Sequence, residues 1–321
     1  MSDPVLVEVT RGRRVESVHR GAVAVVDTGG KIVFQAGDIA AAVYPRSAVK
    51  AFQALPLIDS GAADRFGLSE AEIALACSSH SGEAVHVAAA DSMLRKAGRD
   101  AGTLECGAHW PYDAAATRAL AARGQQPSAL HNNCSGKHAG FICLACARGD
   151  DPAGYVRPDH PTMRAVTAAL SAMTDTVLED PGTDGCSIPT YAIPLRALAH
   201  GFARFGVVDG APARLRAAVA AHPFMVGGTG RFDTLLMQAL GARVFAKGGA
   251  EGVHCAALPE LGLGIAVKGD DGAGRAGEVV IAALVARLLA AAVPAALAQP
   301  VLRNWNGIEV GALRPAGPLA G

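Results

Sequence analysis

Ser47 and Lys50 stand three residues apart in Tyr44-Pro45-Arg46-Ser47-Ala48-Val49-Lys50, and the run that follows, Ala51 to Ile58, is apolar enough to form a buried helix. On a helix, residues three apart share a face, with Cβ atoms roughly 5–6 Å from one another. A neutral lysine so placed can take the proton of a serine hydroxyl and make it a nucleophile. Read alone, the pair has a plainer account. Pro45 ends the preceding extended run, Ser47 caps the helix, and Lys50 reaches into solvent.

Four other stretches carry groups that could do chemistry. Ser78-Ser79-His80-Ser81-Gly82-Glu83 puts small hydroxyls and a histidine between an apolar run and a helix, more than the cap formed by Ser81 and Glu83 requires. Asn132-Asn133-Cys134-Ser135-Gly136-Lys137-His138 opens another apolar helix, where backbone donors can gather. Cys134 there and Cys186 in Thr183-Asp184-Gly185-Cys186 lie in two similar polar loops, and paired thiolates suit Zn²⁺, although the spacing matches no zinc-finger pattern. Taken singly, Cys134 is as well explained as a small buried hydrophobe. Lys247-Gly248-Gly249 ends a late apolar strand, as a lysine before a turn would, but a Lys-x-Gly following an early Ser-x-x-Lys repeats an order of parts known from serine hydrolases. Cys143 and Cys146 lie within an apolar helix and read as core, as do Cys77, Cys106 and Cys255; His109, His131, His222 and His254 stand isolated and read as packed.

These loops need a scaffold, and the patterns supply one. Val5–Arg11 alternates as a strand does, and 22–27 with 32–37 form a hairpin around Gly29-Gly30. Helices are expected from Ser47 to about Ser60, and at 83–97, 114–123, 137–148, 161–173, 195–205, 211–221 and 234–240. Strands at 243–246, 253–257 and 264–268 precede a helix at 274–292 and a mobile end at Pro318–Gly321. Strands at both ends and helices between them predict an α+β fold: one unit over 1–321, an antiparallel sheet flanked by helices, with a helical insert at roughly 83–240.

Half of the 321 residues are apolar and 18% are charged, as in a globular protein. The 29 basic and 29 acidic residues cancel, so no electrostatic footprint for nucleic acid or an anionic membrane is present. The first residues carry no export signal, and the longest apolar run, Val279–Ala298, is broken by Arg287 and Pro294. A cytoplasmic protein with seven reduced cysteines is the expectation.

Together these stretches resemble the bacterial L-asparaginase II family of the Rhizobium etli type. The resemblance runs from about Val5 to Leu289 and rests on Arg46–Lys50, Ser79–Ser81, Asn133–His138, Gly182–Cys186 and Lys247–Gly249. It implies a serine β-lactamase-like and glutaminase-like fold, hydrolysis of L-asparagine, and two Ser–Lys pairs, Ser47 with Lys50 and Ser79 with Lys247. It also implies a Zn²⁺ site at Cys134, Lys137 and Cys186, substrate contacts from Arg46, His80, Asn133 and Asp184, support from His138, and a homodimer. Gly82 and Thr229 depart from the family, which places a serine and a glutamate there. A penicillin-binding or glutaminase type of serine amidase uses the same Ser-x-x-Lys, but the former is exported.

Overall fold

The computed structural model describes residues 2–320. Eight strands form one antiparallel sheet: β1 (Val5–Arg11), β2 (Arg14–Asp27), β3 (Ile32–Ala36), β4 (Phe245–Gly248), β5 (Val253–Leu258), β6 (Leu263–Gly269), β7 (Val301–Arg303) and β8 (Glu309–Pro315). Their spatial order is β7-β8-β1-β2-β6-β5-β4, with β3 also paired to β2. Ten helices longer than one turn accompany them among the described residues: α1 (Lys50–Asp59), α2 (Glu70–Ala76), α3 (Ala84–Lys96), α4 (Ala114–Ala122), α5 (Ser135–Arg148), α6 (Pro161–Thr174), α7 (Leu195–Val207), α8 (Ala211–Ala221), α9 (Phe232–Leu240) and α10 (Gly274–Leu289). The architecture is the α+β one expected, an antiparallel sheet flanked by helices.

All six residues of β5 are buried, because both faces of the sheet are covered there. Helix α7 lies so close to β6 that a Cβ on Gly264 would sit 1.9 Å from the Ala199 carbonyl oxygen. Helix α10 presses on the other face, where a Cβ on Gly277 would lie 3.1 Å from the His254 Cβ. Strand alternation does the sorting. Lys247 is paired with Cys255 and shares its face, which looks toward α7 and the other helices; His254 and Gly248 look toward α10.

Two differences from the sequence reading matter. β2 begins at Arg14, eight residues before its apolar run, because Arg14–Val18 is exposed and shows no buried face. The chain after about Ala292, which no motif covered, forms the β7–β8 hairpin and pairs with β1, Val9 opposite Leu313. Its Asn306-Gly307 turn is a hairpin signal, weakened by the shortness of β7. Of the end expected to be mobile, Leu319 is buried while Pro318 and Ala320 are exposed; Gly321 lies outside the described residues.

An aromatic cluster joins the elements that carry the two lysines. Phe52 of α1 lies 4.7 Å from Phe202 and 5.6 Å from Phe205 of α7, and Phe205 lies 4.9 Å from Phe245 of β4. Phe52 is two residues beyond Lys50 and Phe245 two before Lys247, so this cluster sets the separation of the two amines. Phe52→Ala should lower the free energy of unfolding by about 3–5 kcal/mol. Chemical denaturation measures it, and a loss below about 1 kcal/mol would show the cluster to be dispensable.

Candidate active site

Lys50 and Lys247 are both buried, and both reach one hydroxyl. Ser79 Oγ lies 2.9 Å from Lys50 Nζ and 2.9 Å from Lys247 Nζ. Lys50 Nζ also donates to the Ser78 carbonyl at 2.6 Å, and Lys247 Nζ to that of Gly248 at 2.7 Å. Burial disfavours the charged amine at each position. It pulls Lys247 down to about 7, with Asp233 opposing, and pulls Lys50 down with Cys134 opposing.

Lys50 is therefore not joined to Ser47 as the three-residue spacing predicts. The chain from Arg46 to Val49 is a 3-10 turn, and α1 begins only at Lys50. The long lysine stem runs inward to Ser79 while the short serine stays at the lip of the cleft. Among the described residues no hydrogen bond joins them, and the Ser47 hydroxyl has no protein partner. Arg46, just before it, holds φ at 50°, a left-handed conformation costly for a residue with a side chain and concentrated at functional sites. The turn is braced from β4. A Cβ on Gly249 would lie 2.5 Å from the Pro45 carbonyl oxygen, so only glycine lets the two backbones meet.

Asp233 and His254 were not singled out as site residues from sequence; His254 was read as isolated packing. His254 Nε2 donates to Asp233 Oδ1 at 2.8 Å, and the Gly248 amide donates to Oδ2 at 2.9 Å. Lys247 Nζ stands 3.9 Å from Oδ2. Burial alone would raise the Asp233 pKa, but His254, Lys247 and that amide outweigh it and hold the carboxyl far below its usual range. The readable signal was a histidine alternating into an otherwise apolar strand. Of the other histidines read as packed, His109 accepts from the Asn133 amide at 3.0 Å, and His131 from the Ser128 amide at 3.0 Å.

Cys134, Lys137 and Cys186 converge as expected, from the start of α5 and from the Asp184 loop. Lys137 Nζ lies 3.1 Å from Cys186 Sγ, Lys50 Nζ lies 3.1 Å from Cys134 Sγ, and Cys186 Sγ reaches Asp184 Oδ2 at 3.7 Å. The neighbouring Cys186 thiol, and then the lysine charges, push Cys134 well below the usual thiol range, while Cys134 and burial push Cys186 up. Among the described residues no three His, Cys, Asp or Glu side chains are grouped to hold a metal, so a metal here would need Lys137 as its third donor. Two buried sulfurs and an amine suit a thiophilic cation such as Zn²⁺, and the donor set fits.

The remaining expected residues divide. Asn133 lines the cleft. Arg46 Nε is paired with Asp184 Oδ1 at 2.6 Å, and each engages the other beside the cysteine cluster. His80 is fully buried behind the wall, its ring bonded to Ser135 Oγ at 2.9 Å and to the Gly82 amide at 3.1 Å. His138 Nδ1 meets the Tyr155 hydroxyl at 2.6 Å, and its Nε2 is buried without a partner. Glu83 does not serve as a first-turn acid capped by Ser81. Its carboxylate accepts from Thr229 N and Oγ1, each at 2.8 Å, and Ser81 Oγ donates to the Gly227 carbonyl at 2.8 Å, which ties the two loops together.

Ser47, Ser79 and Asn133 share a cavity of about 250 Å³ with Tyr112, Arg231, Asp233, Gly248, Gly249, His254 and Glu278. A small polar cleft over buried amines and hydroxyls, in an α+β frame of this kind, is that of a hydrolase acting on a small molecule. The chain belongs to the L-asparaginase II family, whose sequence profile matches residues 7–315, and this makes it an amidohydrolase. No curated protein sequence matches it. Among solved structures it is similar to a candidate β-lactamase from Bacteroides dorei, at 14% identity and a TM-score of 0.43 over 83% of this chain and 93% of that one, too distant to carry an argument. No helix among the described residues is long and apolar enough to cross a membrane.

Because Lys247 falls from an ordinary 10.5 to about 7, the folded state holds fewer protons than the unfolded state between those values. Stability should therefore rise with pH across that window and be lost as pH falls toward 7. Relative to Lys247→Met, the wild-type chain should gain up to about 1.4 kcal/mol per pH unit there. Parallel urea titrations at several pH values test this, and equal pH dependence in both proteins would refute a depressed lysine.

Proposed function

We propose that this protein hydrolyses L-asparagine to L-aspartate and ammonia, with Ser47 as nucleophile and Lys50, Ser79 and Lys247 as the proton path. One observation carries the reading: a single hydroxyl, Ser79, stands 2.9 Å from each of two buried lysine amines, beside a second hydroxyl that opens on the cavity. Two amines bonded to one oxygen in a dry site cannot both stay charged, so a neutral amine is at hand as a base. Two of the three free directions around Ser79 Oγ are taken by those amines. Those around Ser47 Oγ are open, on a turn held in a strained conformation.

Ser47 attacks the side-chain amide carbon, and its proton passes to neutral Lys50 three residues on. The gap between them in the free protein closes on substrate, as catalytic hydrogen bonds commonly do. Ser79 hands a proton to the departing nitrogen and is refilled from a lysine, so ammonia leaves as a neutral molecule. Water then enters, gives up a proton to the same amines and releases aspartate from Ser47. Asp233 and His254 hold Lys247 and the Gly248 amide in place. Zn²⁺, held by Cys134, Cys186 and Lys137, would supply a fixed positive charge beside Lys50 that favours the neutral amine.

Ser47→Ala should lower asparagine turnover on the order of a thousandfold or more, and Ser79→Ala by roughly 10²–10⁴. Ammonia release is followed with L-asparagine, L-glutamine and a β-lactam in parallel, and the acyl-enzyme is located by peptide mass spectrometry. Near-normal rates in Ser47→Ala, or an adduct on Ser79, would overturn the assignment of roles. A preference for the β-lactam would overturn the substrate.

Elemental analysis of the purified chain should find about one zinc per molecule, reduced to trace levels in Cys186→Ala. Metal retained by that variant would place the ion elsewhere.

A further inference from the structure

The cleft contains two charged side chains that the proton path does not use. Arg231 and Glu278 both line it, both are half-buried, and among the described residues neither side chain makes a hydrogen bond or ion pair within the protein. This is unusual for charges lifted partly out of water, since burial without a partner is costly. Every other charged group at the site is engaged: Arg46 with Asp184, Asp233 with His254, and the lysines with Ser79.

Their positions are built. The loop before Arg231 is fixed by Glu83 on Thr229 and by Ser81 on the Gly227 carbonyl, and Gly228 N donates to Thr234 Oγ1 at 3.1 Å. The arginine stem lies against Gly227, where a Cβ would come within 2.9 Å of Arg231 Cβ. Glu278 sits in the second turn of α10, next to Gly277, whose missing side chain lets the helix settle on His254. Burial raises the Glu278 carboxyl, while Arg231 and His254 pull it down and Asp233 pushes it up, so all these groups act across one space.

A cavity that offers one unpaired cation and one unpaired anion, beside a nucleophile, is complementary to a ligand carrying both charges. We propose that Arg231 takes the α-carboxylate and Glu278 the α-ammonium of an amino acid whose side-chain amide reaches Ser47. The assignment rests on the asparagine-hydrolysis reading above and gives each head-group charge of that substrate its partner. Peptides and N-acylated amides lack one of the two charges and leave a protein charge unpaired, which sites of this kind reject strongly. Arg46 and Asp184, which neutralise one another, are not needed for the head group.

The test compares the full-length wild-type chain with Arg231→Gln, Glu278→Gln, and the charge-retaining Arg231→Lys and Glu278→Asp. Hydrolysis is measured with L-asparagine, with succinamate, which lacks the ammonium, and with 3-aminopropanamide, which lacks the carboxylate. Wild type should prefer asparagine over either analogue in kcat/KM by about a hundredfold or more. Glu278→Gln should lose at least about tenfold of the discrimination against succinamate alone, Arg231→Gln that against 3-aminopropanamide alone, and each charge-retaining variant should recover part of it. Calorimetric titration with L-aspartate gives a readout independent of turnover, and binding should weaken at least tenfold in both glutamine variants. If wild type turns over asparagine and the variants keep its discrimination, the subsite is wrong and the reaction stands. If wild type does not turn over asparagine but binds aspartate in a way both variants lose, the reaction is wrong and the subsite stands.

Discussion

Ser79 Oγ lies within hydrogen-bonding distance of two lysine amines, neither of which reaches water, and the charge that this arrangement permits governs the rest of the site. A pair of ammonium groups on one oxygen in a dry interior would repel strongly, so the arrangement favours a neutral amine at one of the two. Everything nearby bears on which one. Asp233 stands 3.9 Å from Lys247 and favours its charge; the Cys134 sulfur is 3.1 Å from Lys50 and favours the charge there. A cation bound at the cysteines would cancel that second influence, so the cysteine cluster and the Asp233–His254 pair act as opposing weights on one proton.

Such a balance survives only if the amines stay where they are. Lys50 comes from the first turn of α1 and Lys247 from β4, far apart in sequence. Both elements are pinned to α7 by the same phenylalanines, and α7 in turn is pressed on β6 at Gly264. The Ser47 turn depends on Gly249, two residues after Lys247. One rigid seam thus positions Ser47, Ser79 and both amines, and the core beneath the site matters to it as much as the polar groups above.

The α+β frame was legible because its strands and helices announce themselves by alternation and by caps such as Ser69 with Glu72. The convergence of Ser79, Lys50, Lys247 and the cysteine cluster was legible because small polar motifs interrupt apolar runs. The Ser47–Lys50 contact was misjudged, since spacing puts both on one face but does not show that the lysine amine is drawn inward to Ser79, Cys134 and the Ser78 carbonyl. Arg46, Asp184 and His80 are expected at the substrate from their place in motifs, and the structure adds that Arg46 pairs with Asp184 and His80 with Ser135, which spacing does not show. Arg231 and Asp233 stand together at the start of α9, but His254 lies in β5 and Glu278 in α10, and only the fold brings the three elements together. The last hairpin escaped because β7 is short and half exposed, with too few apolar positions to show a period.

That hairpin ties the two ends of the chain. Val7 pairs with Pro315, and Leu319 is buried beyond it. During synthesis β1 must wait for the much later β8 to arrive, and until then one side of β1 is open to any passing strand. Closing so long a loop is slow, and the waiting form is prone to aggregate.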